Sequence, residues 1–380
     1  MHIPTEPTWV DDNETLRQLC ERWSGQAAIA VDTEFMRSDT FYPIAGLIQV
    51  GDGHGCYLID PQAITDFSPL VELWQNPGVT KVLHACSEDL EVFAVLLDAL
   101  PAPLFDTQVA AAFAGCGYSL GYAGLVRELL GIEIPKGETR SDWLARPLSV
   151  AQTEYAALDV AHLLIVYGKL LKTLKEQGRL AWVHAECDAQ IAAAAAPNDL
   201  SQAYLKAGLG WKLPPRGVAA LQQLCLWREQ EARARNIPRN RLLKEQPLYE
   251  IARRLPEDYA GLRRIEGIPK RTLSDDGDHL LQLVQQAREL PESQLPTRMS
   301  PPLAREYGAA MKTMKAWVRE RAEQIGLPPE LLIRKKEYEH LVRSFAAGQL
   351  ELPQRLTGWR YEVLGKDLQQ VAERALQEVR

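Results

Sequence analysis

The chain has no stretch approaching the ~18 uninterrupted apolar residues that a membrane-spanning helix needs. It also lacks a basic, apolar leader, since its first residues include Glu6, Asp11 and Asp12. Both absences predict a soluble, cytoplasmic protein with no membrane partner. Its six cysteines (Cys20, Cys56, Cys86, Cys116, Cys187, Cys225) lie far apart and form no C-x-x-C pair. That argues against a disulfide scaffold or zinc ribbon and predicts reduced thiols. At 380 residues the chain is too long for a typical single domain, and its 46% hydrophobic content is enough for a sizeable core.

Positive charge is scarce in the first half. Residues 1–190 hold 26 Asp+Glu against 12 Lys+Arg, a balance of −14, whereas residues 191–380 hold 24 against 31, a balance of +7. An acidic half suits metal ions if its carboxylates point inward, and a basic half suits a polyanion such as nucleic acid.

Several acids stand where acids are awkward. Asp32 and Glu34 interrupt the apolar run Ala27–Phe35, Asp89 opens an apolar helix, and Asp159 precedes a strongly amphipathic one. Residues 26–35 read as a buried strand after Gly25, so Asp32 and Glu34, two apart, share one face of a sheet. Ser149 and Gln152 fit a capping box for a helix whose period runs through Val160, Leu163, Leu170 and Leu174; Tyr155 and Asp159 then stand one turn apart on one face. Asp89 falls in the first turn of a helix that Ser87 could cap, just after the short strand Lys81–Ala85. Carboxylates crowded against a core raise one another's pKa unless a cation offsets the repulsion, and divalent metal is the reading this pattern favours.

Along the first 180 residues the signals run three strands, helix, strand, helix, strand, helix. Leu47–Val50 and Cys56–Ile59 are joined by a G-D-G-H-G hairpin, so the sheet is predicted to be mixed. A boundary is expected at 192–200, where a helix should end by Pro197. Beyond it the chain reads as all-helical and weakly duplicated, with Trp227 laid over Trp317 and Pro238 over Pro328. The expected division is a domain over 1–195 and helical domains over 210–292 and 300–380.

The motifs V-D-T-E-F, H-A-C-S-E-D-L and Y-A-A-L-D-V, in this order, resemble those of the DEDD exonuclease superfamily in its tyrosine variant. The flanking K-V-L-H-A-C-S-E-D-L-E-V-F and S-D-W-L-A-R-P-L-S resemble the bacterial ribonuclease D family, and the helical units its tandem helicase-and-RNase-D C-terminal (HRDC) domains. The resemblance implies an RNase H-like α/β exonuclease domain followed by two all-α domains. It implies a metal-dependent 3′→5′ exoribonuclease releasing 5′-mononucleotides and trimming 3′ trailers of tRNA precursors, RNAs with a single-stranded 3′ end. By the same resemblance Asp32, Glu34 and Asp159 would hold one Mg²⁺ or Mn²⁺, Asp32 would bridge to a second ion held by Asp89, and Tyr155 would orient the attacking water. His84 and Asp89 mimic the spacing of the superfamily's histidine branch, but Y-x-x-x-D downstream assigns them to the second motif.

Other residues allow two readings. Phe35 and Tyr42 could stack on terminal bases or simply pack. Arg233, Arg235, Arg239 and Arg241, and Arg334, Lys335 and Lys336, could track phosphates or form solvated faces. The rivals to an exoribonuclease are a proofreading-type DNA exonuclease and a catalytically silent RNA-binding scaffold. A monomer is expected.

Overall fold

In the computed structural model, which describes residues 6–135, 137–138 and 141–379, six strands form one mixed sheet in the order β1-β4-β3-β2-β5-β6. They are β1 (Pro7–Val10), β2 (Ala28–Met36), β3 (Ile44–Gly51), β4 (Cys56–Ile59), β5 (Thr80–Leu83) and β6 (Leu104–Asp106). β3 pairs antiparallel with β4 through the expected hairpin, whereas β1–β4, β2–β5 and β5–β6 pair parallel. The helices of this half are α1 (Asn13–Ser24), α2 (Ser68–Gln75), α3 (Ser87–Leu97), α4 (Thr107–Ala114), α5 (Tyr122–Leu130), α6 (Val150–Ala161), α7 (Leu163–Glu176) and α8 (Leu180–Ala195). Those that follow are α9 (Pro215–Ala234), α10 (Arg239–Leu242), α11 (Glu245–Arg254), α12 (Tyr259–Arg263), α13 (Lys270–Glu289), α14 (Gly308–Ile325), α15 (Pro329–Leu332), α16 (Lys335–Ala346) and α17 (Lys366–Gln377).

Three local expectations change. β1 and α1 had no place in the sequence reading; β1 is a four-residue edge strand beginning at Pro7, too short to show a period. Ser87 does not cap α3: it is the first helical residue, and Cys86 precedes it without a side-chain cap. The periodic run through Asp159 and Leu174 is two helices, because the chain breaks at His162 between α6 and α7.

Burial follows the sheet. Ile29, Val31, Ile48, Val50, Val82 and Phe105 lie in a core that continues into Met314, Val318, Leu341 and Leu368 of the last helices. Lys81 is fully buried in β5, its Nζ donating to the carbonyls of Leu73, Asn76 and Ala102; a buried ammonium ringed by acceptors ties α2 and the segment before β6 to the sheet. All six cysteines are free thiols. Among the described residues no helix is long and apolar enough to cross a membrane.

The chain clusters into two compact units. The first comprises Met1–Met36, Ala45–Ala195 and Leu303–Arg380; the second comprises Arg37–Ile44 and Ala196–Pro302. Within the first, Trp359 stacks on Trp182 (centroids 5.2 Å apart, planes 18° apart) and meets the Phe113 ring edge-on. Glu186 of α8 accepts hydrogen bonds from Trp359 Nε1 at 3.0 Å and from both Arg360 terminal nitrogens at 2.5 and 2.6 Å. Within the second, Phe41 is buried among Leu221, Leu242 and Leu262, and the Arg233 and Arg239 guanidinium carbons each stand 4.6 Å from its ring centroid. Asn236 Oδ1 accepts from the Phe41 and Tyr42 backbone amides, both at 3.0 Å.

Candidate active site

Strand alternation puts Asp32 and Glu34 on one face of β2, and α6 brings Asp159 to them. One ligand oxygen from each of these three carboxylates lies within 4.8 Å of the others. The helix arrives in register because its start is fixed twice. The Ser149–Gln152 capping box forms as expected. Arg146 grips Asp60 through Nε and Nη2 (2.7 and 2.6 Å) and reaches the Gly46 carbonyl at 2.7 Å. Trp143 is buried beside the Tyr155 ring, centroids 6.1 Å apart. The Tyr155 hydroxyl donates to Asp159.

Asp89 lies outside the three-oxygen cluster but close enough for its charge to act on Asp32, Glu34 and Asp159. It is buried in the first turn of α3, with Thr33 Oγ1 donating to it at 2.5 Å. The turn before α3 is held by Asp106, which accepts from the amides of Ala85 (3.0 Å) and Cys86 (3.2 Å) while capping α4 through Gln108 (2.8 Å). Ala85 takes a left-handed φ of 57° there, a strained conformation kept by surrounding bonds. Asp106 thus braces the site from behind.

Burial and mutual repulsion dominate the electrostatics. Asp32 is pushed far above the usual carboxylate range by desolvation and by Asp89, Asp159 and Glu34. Desolvation, then Asp159, raises Glu34 to about 8. Desolvation raises Asp159 to about 7 against the opposing Tyr155 bond, and Asp89 to about 6 against Thr33. Tyr155 is driven upward by burial and by the carboxylates around it, so its hydroxyl stays protonated. Oxygen donors this crowded and dehydrated suit a hard divalent cation, which removes the repulsion that burial amplifies.

Two contacts had no signature in the sequence. Thr33 sits between the motif acids, but its partner lies 56 residues away. Gly137 packs so tightly on Tyr155 that a Cβ there would fall 1.7 Å from the ring.

The other singled-out residues are placed as follows. Phe35 is half-buried on β2, and Tyr42 packs edge-on against Phe41 at 4.9 Å within the second unit. Arg233 and Arg239 both pair with the buried Glu229, Arg235 with the buried Asp276 and with Glu231, and Arg241 with Asp39. Lys335 and Lys336 are 82% and 77% exposed beside Glu339 and Glu337. Arg334 lines a cavity of about 230 Å³ with Arg355, Glu186 and Gln190.

Comparison with known proteins agrees with this architecture. Residues 7–175 match the 3′-5′ exonuclease family model, 218–284 the HRDC domain, and 305–368 the C-terminal HRDC domain of ribonuclease D. Ribonuclease D of Pseudomonas paraeruginosa is 47% identical over 97% of this chain and 98% of its own length. The chain belongs to the ribonuclease D family. Ribonuclease D of Escherichia coli is 38% identical over 94% of this chain and 96% of its own. The crystal structure of Escherichia coli RNase D, described as an exoribonuclease involved in structured RNA processing, superposes with a TM-score of 0.90 at 36% identity, over 97% of this chain and 99% of that one. Membership of the ribonuclease D family makes the chain a 3′→5′ exoribonuclease, and the family's use of divalent metal accords with the carboxylate cluster.

Proposed function

We propose that the enzyme shortens RNA from a single-stranded 3′ end, releasing 5′-mononucleotides with the help of two divalent cations, and that tRNA precursors carrying 3′ trailers are among its substrates. The observation that supports this most is the convergence of Asp32, Glu34 and Asp159 oxygens within 4.8 Å. Mg²⁺ or Mn²⁺ fits such a set of hard oxygen donors. Asp32, Glu34 and Asp159 would hold one ion, and Asp32 with Asp89 the other. When bound, the ions supply an activated water and stabilise the leaving 3′-oxygen of an in-line displacement at phosphorus. Tyr155, protonated at any physiological pH and fixed by Asp159, orients the attacking water and takes no proton from it.

Residues 1–195 would carry the chemistry in a monomeric enzyme, and the helical domains over 210–292 and 300–380 the grip on RNA. The processing of structured RNA by the Escherichia coli relative supports this reading. Lys335 and Lys336 are the basic candidates whose exposure suits phosphate contact, whereas Arg233, Arg235 and Arg239 already neutralise buried carboxylates. Phe35 and Tyr42 remain stacking candidates for terminal bases.

The test is the product ladder on a tRNA precursor with Mg²⁺, Mn²⁺ or chelator, beside DNA of the same sequence. Stepwise loss of 3′ mononucleotides that stops near the mature end, fails on DNA and vanishes with chelator is expected. Shortening that is independent of metal, or equally fast on DNA, would refute the reading.

A further inference from the structure

Gln49 is fully buried in β3, and neither its amide nitrogen nor its amide oxygen has a hydrogen-bond partner. An unpaired buried polar group costs about 1–3 kcal/mol, so a glutamine in a position that leucine could fill calls for a compensating role.

Strand pairing says where it points. β2 and β3 are neighbours in the sheet, and the connection over residues 37–43 is shorter than the crossover of about a dozen residues that parallel neighbours need, so the two strands run antiparallel. A Cβ on Gly51 would stand 3.3 Å from the Ala30 Cβ, which sets Gly51 opposite Ala30. Two residues further along each strand, Gln49 stands opposite Asp32 and Leu47 opposite Glu34, all on one face. On its other side Gln49 pairs with Leu58 of β4. Leu47 and Leu58 pack with Trp143, whose indole Nε1 is likewise buried and unpartnered. One face of the sheet therefore carries the Asp32 carboxylate and, opposite it, an unused amide with one acceptor and one donor, and the Trp143 ring with its unused indole donor packs on the leucines that flank that amide.

We propose that Gln49 is a positioning residue for Asp32. Its Nε2 donates to a carboxylate oxygen of Asp32 once a cation draws the carboxylates together, and Trp143 Nε1 donates to Gln49 Oε1. The Trp143 bond fixes which end of the amide faces the acid, because an amide turned round would set oxygen against oxygen. Outer hydrogen bonds of this kind orient a ligand, and losing one weakens metal affinity or activity by roughly 10–100-fold. The inference rests on the metal-binding role proposed for Asp32.

Gln49→Met keeps the length and volume of the side chain and removes its polar atoms. Three quantities decide: the melting temperature in chelator, the Mn²⁺ affinity by calorimetry, and kcat and KM on a single-stranded RNA at saturating Mn²⁺. Expected are a melting temperature in chelator at or above that of the unaltered protein, Mn²⁺ binding weakened about 10-fold and kcat lowered about 10-fold, with KM for RNA unchanged. Unaltered Mn²⁺ affinity and kcat would overturn the proposal, and so would loss of the fold in chelator, which would make Gln49 a structural residue. Asp32→Asn serves as control: if it still binds Mn²⁺ normally, the metal-binding reading of Asp32 fails, whatever Gln49→Met does.

Discussion

Thr33 Oγ1 donates a 2.5 Å hydrogen bond to Asp89 Oδ1. Thr33 stands on β2 between Asp32 and Glu34, so one strand offers two carboxylates on one face and from the other steadies a third brought by α3. The bond favours the charged form of Asp89, which burial has raised to about 6. Thr33→Val removes the donor with little change of shape. The acidic limb of the pH–rate profile should move to higher pH, and the rate at pH 6 should fall about 10-fold, as expected for one hydrogen bond to a charged group. An unmoved acidic limb would show that the bond is incidental.

Asp32→Asn should abolish turnover, because the carboxylate proposed to be shared by both ions is lost. In chelator the variant should melt at the same or a higher temperature than the unaltered protein, since burial and the charges of Asp89, Asp159 and Glu34 all disfavour the ionised Asp32. Measurable turnover at saturating Mn²⁺ would contradict its central role.

Tyr155→Phe deletes only a hydroxyl. Its rate should fall roughly 10²-fold, the low end for a positioned group, with Mn²⁺ affinity preserved. Gly137→Ala should give a similar loss by another route, because the new methyl cannot coexist with the Tyr155 ring in its place. Combining the two changes should cost far less than the product of the separate losses; full additivity would mean that Gly137 acts elsewhere.

The raised carboxylates set the pH dependence of the metal-free protein. Glu34 at about 8, Asp159 at about 7 and Asp89 at about 6 hold protons in the folded state that the unfolded chain releases near pH ~4. Their contribution to stability is complete below pH ~4 and is lost as pH climbs to ~8. Melting in chelator should therefore fall across that window. Mn²⁺ affinity should rise across pH ~6–8 with release of protons, visible as a buffer-dependent heat of binding. A melting temperature flat from pH 4.5 to 8 in chelator would show that burial and mutual repulsion do not raise these carboxylates.

Glu186→Gln leaves the buried Arg360 guanidinium without its bidentate partner. The cost of unpairing a buried ion pair is about 3 kcal/mol, and the denaturation midpoint should drop accordingly while Mn²⁺ affinity is retained. A shift below about 0.5 kcal/mol, the scale of an ordinary surface change, would show that the contact is peripheral.

What the sequence disclosed and what it withheld divide along a physical line. The mixed sheet, its hairpin, the shared face of Asp32 and Glu34, and the Ser149 cap were legible because each depends on residues within a few positions of one another. Thr33–Asp89, Gly137–Tyr155 and Glu186–Arg360 were not, since each joins segments that only the folded chain brings together. The basic clusters show the same limit from the other side. Arg233, Arg235 and Arg239 advertise charge along the sequence. Glu229 stands one helical turn before Arg233 and could be paired with it there, but the second claim on Glu229 by Arg239 and the pairing of Arg235 with Asp276 show nothing until the helices pack. The break at His162 was hidden because the apolar period continues straight across it.

The stack of Trp359 on Trp182, with Phe113 against its edge, carries a consequence for biogenesis. The second unit has all its parts once residue 302 leaves the ribosome, but the first is completed only by residues 303–380. At elongation rates of roughly 5–20 residues per second the sheet half then waits on the order of 10 s, from the synthesis of α8 to that of α17, with Phe113 and Trp182 uncovered. A nascent chain that stalls before Trp359 leaves Phe113 and Trp182 without that cover, the kind of exposed apolar surface on which chaperones and proteases act.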